Sequence, residues 1–425
     1  MRTLHAQAKK GGRKRRGPPG GKGGVVRLQK FVAAHPWCIL AAGVCIQILT
    51  GIPAAWGVFQ GPVVNEYGFS QSAAEFIFSL TIGAFGLGCV LGGFLQDKHG
   101  PRIAGLLGAG LLAGGFCLAG LVPAGAAGLF YLAFSLPVGL GCAFLYPAVM
   151  SCAQKWYAGK KGLATGVIGG AVGASGAALT FLVRFFSGRW GIRACFWVLA
   201  ALMLAVCGLG SLLLANPPPP KQKPSEQGRG KKQPPFDLPP AKMLKTPQYW
   251  LGFAVVALAT PAVLLFSPII VQLGTERGLS EDAAHLSIVL GSVGSAAGRL
   301  LMPLLSDRIG RRAADALLFA ALGALSLAFW AAQGWWVVLV YSLLTFCYSG
   351  EAAVLPALSS DLFGLPHAGV NYGFLALGMS VGSIGFPLLA NTLGLAAGRH
   401  FIAMGAAAAG LVCTLLLRPT HGQKL

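Results

Sequence analysis

Two charged residues lie inside long apolar stretches of the sequence. Arg299 falls within the apolar stretch 284–305, and Glu351 falls within the stretch 335–358. An arginine at the centre of a membrane costs about 2.5–3.5 kcal/mol on insertion scales, so such a residue suggests a function. The guanidinium stays protonated, and its planar fork can donate two hydrogen bonds to a carboxylate. Arg299 is therefore predicted to bind a ligand carboxylate. The alternative is an arginine that extends to the membrane interface.

Glu351 is the second charge at this depth. Counted from 284 and from 335, Arg299 and Glu351 lie 15 and 16 residues into their stretches. An intramembrane acid usually pairs with a cation or carries a proton. Glu351 is thus predicted to bind and release a proton or to pair with Arg299. The alternative is a glutamate whose carboxyl forms a hydrogen bond with a backbone group or faces the cytoplasmic side of the membrane.

Helical spacing places several uncharged polar side chains on the same faces as these charges. They are predicted to line a binding pocket, although a hydroxyl inside a membrane helix can equally serve helix packing. The predicted pocket residues are Tyr341, Thr345 and Tyr348 beside Glu351, Ser292 and Ser295 beside Arg299, and Gln47 and Thr50 on the first helix.

The composition indicates where these helices lie. The 425 residues are 55% hydrophobic and only 11% charged, with a mean hydropathy of +0.67. Soluble domains are about 25% charged, so a soluble enzyme and a disordered chain are both excluded. The apolar residues form continuous blocks long enough to cross a core of about 30 Å as helices, whereas a β-barrel needs short alternating segments. The blocks are 37–59, 75–96, 102–122, 126–152, 162–183, 192–214, 249–272, 284–305, 313–332, 335–358, 370–391 and 397–417.

The predicted fold is an all-α membrane protein with 12 transmembrane helices in two six-helix bundles. One long polar loop, which is rich in proline and lysine, separates the sixth block from the seventh. The predicted divisions are a basic disordered cytoplasmic tail (1–34), an N-terminal bundle (35–214), a cytoplasmic linker (215–248), a C-terminal bundle (249–418) and a short cytoplasmic tail (419–425).

The positive charge is distributed as expected for a membrane protein. The formal net charge is +21, but ten of the 33 lysines and arginines lie in 1–30 and seven in 221–245. These segments lack aromatic interleaving, so they are predicted to contact anionic lipids and not nucleic acid. With both termini inside, 27 of the 33 lie in cytoplasmic segments and five lie outside. This bias predicts cytoplasmic termini in a plasma or inner membrane.

The sequence contains no pattern typical of a cofactor or of an enzyme. The ten cysteines form no CxxC pair, and there is no phosphate-binding GxxxxGK[ST] motif and no cluster of metal ligands. We therefore predict neither a metal nor a cofactor, expect no catalytic residues, and expect a monomer.

The two halves of the sequence repeat. Asp97 and Gly100 recur 210 positions later as Asp307 and Gly310. A second motif, Gly162 to Gly166, recurs 207 positions later as Gly369 to Gly373. Parallel repeats with a binding site between them are typical of transporters.

The turn from Asp97 to Arg102 resembles the signature of the major facilitator superfamily between its second and third helices. Glycine permits such a tight turn, and the aspartate can pair with a cation or with a helix N-terminus. The resemblance and the repeat together predict a latch for one conformation, formed by Asp97, Arg102, Asp307 and Arg311.

Further motifs resemble the oxalate/formate antiporter family and the related monocarboxylate transporters. Together they run from about 51 to 390. They are Trp56-Gly-Val-Phe59, Asn65-Glu-Tyr-Gly-Phe-Ser70, Gln96-Asp97 with Gly100-Pro101-Arg102, Lys155-Trp156-Tyr157 with Lys161-Gly162-Leu-Ala-Thr-Gly166, Gly298-Arg299, Ser306-Asp307 and Asn371-Tyr372-Gly373.

This resemblance implies roles for individual residues. Arg299 corresponds to the family's anion-binding arginine, and Tyr146 to a pocket tyrosine. The oxalate carrier of the family has a second cation where this chain has Met379, and a tyrosine where it has Ala54, three residues after Gly51. A site with one cation favours one carboxylate over two.

The predicted function is secondary active transport of a small organic monoanion by alternating access, coupled either to proton symport or to anion exchange. The anion would be a monocarboxylate similar to lactate, pyruvate or formate. Two alternatives remain open from the sequence. One is a carrier for a neutral or cationic solute, and the other is a non-transporting membrane sensor with a carrier fold.

Overall fold

A computed structural model describes residues 35–157, 161–217, 238–364, 367–392 and 398–418. These residues form long helices, which we number by membrane crossing. They are α1 (Trp37–Tyr67), α2 (Gln71–His99), α3 (Pro101–Ala119), α4 (Ala127–Trp156), α5 and α6 (the two parts of Lys161–Leu213), α7 (Pro247–Glu276), α8 (Glu281–Ile309), α9 (Arg311–Ala331), α10 (Trp335–Phe363), α11 (Ala368–Thr392) and α12 (Gly398–Leu416). The short helix Pro240–Met243 precedes α7.

The predicted all-α membrane fold is confirmed in the described residues. Eleven helical segments are long and apolar enough to cross a membrane. One of them, Ala164–Leu213, has 50 residues, which is twice the length of a crossing. Its chain is non-helical at Gly191 (φ 78°, ψ 169°), so it comprises two crossings, α5 and α6. The predicted tails, 1–34 and 419–425, lie outside the described residues.

The turns of the two halves match position by position, as expected for a duplicated unit. Ser70 and Ser280 cap α2 and α8 by accepting a hydrogen bond from the third residue after them. Six described glycines with positive φ fall at repeated positions: Gly68 and Gly278, Gly100 and Gly310, and Gly125 and Gly334. We call the end of the bundle with the first pair the Gly68 end and the end with the second pair the Gly100 end.

An arginine caps the third helix of each half, but from different sequence positions. Arg193, at the start of α6, donates to Gly120 O and Val122 O at 3.4 and 2.9 Å. Arg277, after α7, donates to Phe329 O and Ala332 O at 2.6 and 3.2 Å. Both satisfy carbonyls that a helix C-terminus leaves free. The two halves thus keep the same structural interaction with different residues.

Two helix pairs join the halves: α2 packs on α11, and α5 packs on α8. Ser380 Oγ donates to Gly83 O at 2.7 Å across the first pair. In the second pair, Gly173 lies so close to Ala296 that a Cβ on the glycine would collide with the α8 backbone. Small residues therefore allow close backbone contact between the halves, as is common in membrane bundles.

Polar side chains also link the halves at the Gly68 end. Arg399 Nη2 lies 2.7 Å from Glu75 Oε2, with both side chains largely buried. A more exposed ion pair joins Arg184 to Asp282 at 2.6 Å. The halves are therefore in contact at this end of the bundle.

The repeated turn at the Gly100 end should depend on glycine. Gly310 has φ 92° and ψ 150°, a conformation that side chains with a Cβ adopt only at a cost. We expect Gly310→Ala to lower the free energy of unfolding by about 1–3 kcal/mol, measured by thermal unfolding in detergent. Gly110→Ala on α3 is the matched control, because no atom lies within 4 Å of its added Cβ. Equal melting temperatures for the two variants would contradict this account of the turn.

Candidate functional site

A cavity of about 140 Å³ lies between the two halves. Its walls come from α1, α2, α4 and α5 on one side and from α7, α8, α10 and α11 on the other. Two of these helices are interrupted beside it. The helix α1 breaks at Gly51 (φ −80°, ψ 38°), and α7 is irregular from Thr260 to Ile269. Broken helices at a site between repeats are typical of transporters.

Arg299 lies in the wall of this cavity and is the only charged residue among those that line it. Its Nε is buried and has no hydrogen-bond partner among the described residues. The stem of the side chain lies against α5, where a Cβ on Gly169 would be 3.6 Å from Arg299 Cβ. The guanidinium is thus free of protein partners at Nε and lies where a ligand in the cavity can reach it.

Three tyrosines surround this cation. Tyr146 on α4, Tyr348 on α10 and Tyr372 on α11 all line the cavity, and their phenols lie within electrostatic range of Arg299. Tyr146 and Tyr348 are predicted site residues. Tyr372 is not, although it belongs to the motif Asn371-Tyr372-Gly373. Aromatic rings around a guanidinium give it apolar and weakly polar neighbours without neutralising its charge.

Gln47 provides a second hydrogen-bonding group in the cavity wall. Its side chain is fully buried, and Thr50 Oγ1 donates to its Oε1 at 2.6 Å. Its Nε2 is buried and has no partner among the described residues. Two N–H donors of this amide can therefore serve a ligand.

Contacts with α5 show that Gln47 and Arg299 lie at a similar depth. The residue four before Gln47, Gly43, packs on Ile168, and the residue four after it, Gly51, packs on Ser175. Arg299 packs on Gly169, which falls between these two contacts. A ligand in the cavity can therefore meet the guanidinium from one half and the amide from the other.

Several predicted pocket hydroxyls line the cavity but also bond within the protein. Ser295 Oγ lies 2.7 Å from Ser349 Oγ. Thr345 Oγ1 is 2.8 Å from Gly291 O, and Ser292 Oγ donates to Ile288 O at 2.8 Å. The contacts of Ser295 and Thr345 join α8 to α10, whereas the bond of Ser292 lies within α8. Thr345 and Ser292 already donate their protons, so Gln47 and Arg299 are the clearer donors to a ligand.

The remaining predicted residues fall in different places. Met379 lines the cavity, and so does Pro53, the residue before Ala54; the side chain of Ala54 lies outside the described part. Glu351 is only 3% exposed and does not line the cavity, although its neighbour Ala352 does. The predicted coupling residue therefore lies behind the cavity wall.

Two residues of the predicted latch, Asp307 and Arg311, are in contact at the Gly100 end. Arg311 pairs with Asp307 and, at 3.4 Å, with Asp361. These contacts join α8, α9 and α10 within one half. Asp361 was not predicted, because its partner is distant in sequence. Arg102 makes no ion pair with a described acid, and the side chain of Asp97 lies outside the described part.

Comparison with known proteins places this architecture in a family. A sequence profile described as Major Facilitator Superfamily matches residues 39–276 and 262–424. The crystal structure of a D-xylose-proton symporter superposes with a TM-score of 0.68 at 16% identity, covering 92% of this chain and all of the other. At that identity the likeness shows the fold alone.

Two relatives are more similar in sequence. The chain is 26% identical to the oxalate:formate antiporter of Oxalobacter formigenes over 356 residues, 82% of each protein. It is 29% identical to monocarboxylate transporter 9 of Mus musculus over 184 residues, which are 42% of this chain and 35% of that protein.

The free guanidinium predicts carboxylate binding that depends on its shape. We expect Arg299→Lys to weaken the affinity for small carboxylates about tenfold or more, because an ammonium cannot make the paired hydrogen bonds. Ligand-dependent thermal shifts of purified protein would measure this. Arg184→Lys, the same exchange at the exposed pair outside the cavity, is the matched control and should bind normally. Full affinity in Arg299→Lys would exclude Arg299 as the carboxylate ligand.

Proposed function

The chain belongs to the Major Facilitator Superfamily and is a multi-pass membrane transporter, and on that basis we propose that it carries a small organic monoanion. The substrate we propose is a monocarboxylate of the size of lactate, pyruvate or formate. Transport would proceed by alternating access, in which the two halves expose the cavity to each side in turn.

The observation that supports an anion is the unpaired guanidinium of Arg299. It is the only charged group among the residues that line the cavity, so the empty cavity has one uncompensated positive charge. A monoanion neutralises this charge, whereas a cation would be repelled by it. The position where the resemblance expects a second cation holds Met379, which favours one carboxylate.

The size of the cavity supports a small substrate. At about 140 Å³ it is comparable to the engineered cavity of about 150 Å³ that holds benzene. A carboxylate with two or three further heavy atoms suits this space. Larger substrates would require the halves to separate.

Gln47 supports a substrate with an oxygen beyond its carboxylate. Its free N–H groups need an acceptor, and a buried donor without one is costly. The oxygen at the second carbon of pyruvate or lactate can accept that bond while the carboxylate stays on Arg299. Acetate and propionate lack such an oxygen.

Two coupling modes are consistent with a cation that cannot lose its proton. The carrier can reorient only when it is loaded, which gives obligatory exchange of anions. Alternatively, an acid can compensate Arg299 in the empty state, which gives proton symport. Uptake of labelled pyruvate into proteoliposomes tests both, because exchange requires an internal anion and symport requires only an inward proton gradient.

The same assay tests the two other classes of function. A carrier of a neutral or cationic solute would show no competition by carboxylates. A sensor with a carrier fold would bind a ligand without moving it. Pyruvate uptake that depends on Arg299 would contradict both.

The charge bias of the sequence supports an orientation. We propose that both termini face the cytoplasm in the cell membrane, which places the Gly100 end inside. The basic segments in 1–30 and 221–245 would then lie beside the anionic leaflet.

The first prediction from this function concerns Gln47. Pyruvate should bind roughly tenfold more tightly than propionate, because one neutral hydrogen bond contributes about 0.5–1.5 kcal/mol and an unmet donor adds a penalty. Gln47→Leu should remove this preference by weakening pyruvate and sparing propionate. Competition against labelled substrate measures both.

Gln60→Leu is the matched control for this experiment. Gln60 is also buried on α1 and its amide has no partner among the described residues, but it does not line the cavity. It should leave the ratio of the two affinities unchanged. If pyruvate keeps its advantage in Gln47→Leu, the amide does not contact the substrate.

The second prediction concerns Met379. Met379→Lys adds a second cation to the cavity wall, so oxalate should gain at least about tenfold in competition relative to a monocarboxylate. Met379→Gln, which is similar in length and uncharged, separates the effect of charge from the loss of the thioether. Oxalate as the best competitor of the unmodified protein would contradict the one-cation argument.

A further inference from the structure

A second buried acid lies near Glu351 and outside the cavity. Asp315 is on α9, four residues after Arg311, and its side chain is 1% exposed. Its Oδ1 has no hydrogen-bond partner among the described residues. Neither the carboxylate site nor the contacts of Arg311 with Asp307 and Asp361 use this group.

The charged groups of α8, α9 and α10 form an ordered series from the Gly100 end to the cavity. Asp315 lies within electrostatic range of Arg311, and it also lies within range of Glu351. Glu351 in turn lies within range of Arg299. The series therefore starts at a partly exposed arginine and ends at the arginine that lines the cavity.

The two carboxyls lack a direct counter-charge. Among the described residues, no lysine or arginine is within 4.0 Å of Asp315 or Glu351. Two negative charges that are buried within electrostatic range of each other and lack a paired cation are costly, which favours a proton on one of them.

Other ionisable groups also lie on the helices that pack around this pair. They include Arg299 and Asp307 on α8, Arg311 on α9, Tyr341, Cys347, Tyr348 and Asp361 on α10, Tyr372 on α11, His400 and Cys413 on α12, and Tyr249 on α7.

An anion on Arg299 changes the charge balance of this pair. In the empty cavity the guanidinium stabilises a negative charge on Glu351. A bound carboxylate cancels that attraction, so Glu351 and Asp315 then hold an additional proton more readily. By linkage, a proton on the pair strengthens anion binding by the same factor.

We propose that Asp315 and Glu351 together form a proton-binding site, separate from the substrate cavity, that couples one proton to one carboxylate through the charge of Arg299. This inference rests on the proposed function, because it requires a carboxylate on Arg299. Of the two carboxyls, Asp315 is the one within electrostatic range of Arg311 at the Gly100 end, so it is the group through which the proton reaches Glu351.

The test measures how pH affects the binding of pyruvate to the purified protein. In the unmodified protein the affinity should increase at least about fivefold from pH 8 to pH 6, the lower limit of typical coupling between two sites. Asp315→Asn and Glu351→Gln should each make the affinity nearly independent of pH. In proteoliposomes both should lose uptake driven by a proton gradient and retain pyruvate exchange.

Two further variants separate coupling from structure. Asp315→Glu restores the carboxyl and should restore the pH dependence. Glu281→Gln removes an acid from the exposed start of α8 and should behave as the unmodified protein. A purely structural role for Asp315 would alter stability or affinity at every pH without flattening the pH profile.

The possible outcomes distinguish a failure of this inference from a failure of the proposed function on which it rests. Proton-driven uptake and a normal pH profile in Asp315→Asn would overturn the inference while the carboxylate carrier stands. Pyruvate binding without any pH dependence in the unmodified protein would also overturn it and would favour exchange. No binding of carboxylates at any pH would overturn the proposed function itself, and the inference with it.

Discussion

The unpaired guanidinium of Arg299 is the constraint on which the rest of the site depends. A permanent charge in the middle of a membrane protein is stable only where protein groups replace water around it. Here the cavity walls supply phenols and hydroxyls, but the described residues provide no carboxylate within ion-pair distance. The empty site is therefore electrostatically incomplete, and a small anion completes it.

Close packing of α8 with its neighbours fixes the position of this charge. Gly294 and Gly298 face the α10 backbone so closely that a Cβ on either would collide with a carbonyl of Ser342 or Phe346. On the other side, the arginine stem lies beside α5, where a Cβ on Gly169 would be 3.6 Å from Arg299 Cβ. Glycines thus allow α8 and α10 to approach closely next to this long side chain. Larger residues would push these helices apart and shift the guanidinium.

The sequence predicts the helices and the central cation well, because both depend on local composition. Twenty-residue apolar blocks and one arginine inside them can be read directly from the chain. Residues whose role depends on packing are harder to predict. Asp315 lies in the first turns of α9, where an acid usually stabilises the helix N-terminus, and only its neighbours in space show that it is buried. Asp361 and Tyr372 depend on the same kind of long-range contact.

Helical periodicity predicts only some of the residues of α10 that face the cavity, and Glu351 is the exception. Tyr341 and Tyr348 line the cavity, but at about 100° per residue Glu351 is rotated by about 80° from Tyr341. That rotation is small enough to suggest one polar stripe and large enough to turn the carboxyl away from the cavity. The sequence therefore predicts that this charge is buried but not the surface on which it lies.

The two halves contribute different chemistry to the site. Arg299, Asp315, Glu351 and Arg311 all belong to α8, α9 and α10, whereas the first half contributes uncharged groups such as Gln47 and Tyr146. The three charged helices pack directly on one another within one half. When the halves move relative to each other, the distances among these charges can stay constant while access from each side changes. Electrostatic coupling between an anion on Arg299 and a proton on the acid pair would then persist throughout the transport cycle, because it depends on the internal packing of one half and not on contacts that alternate.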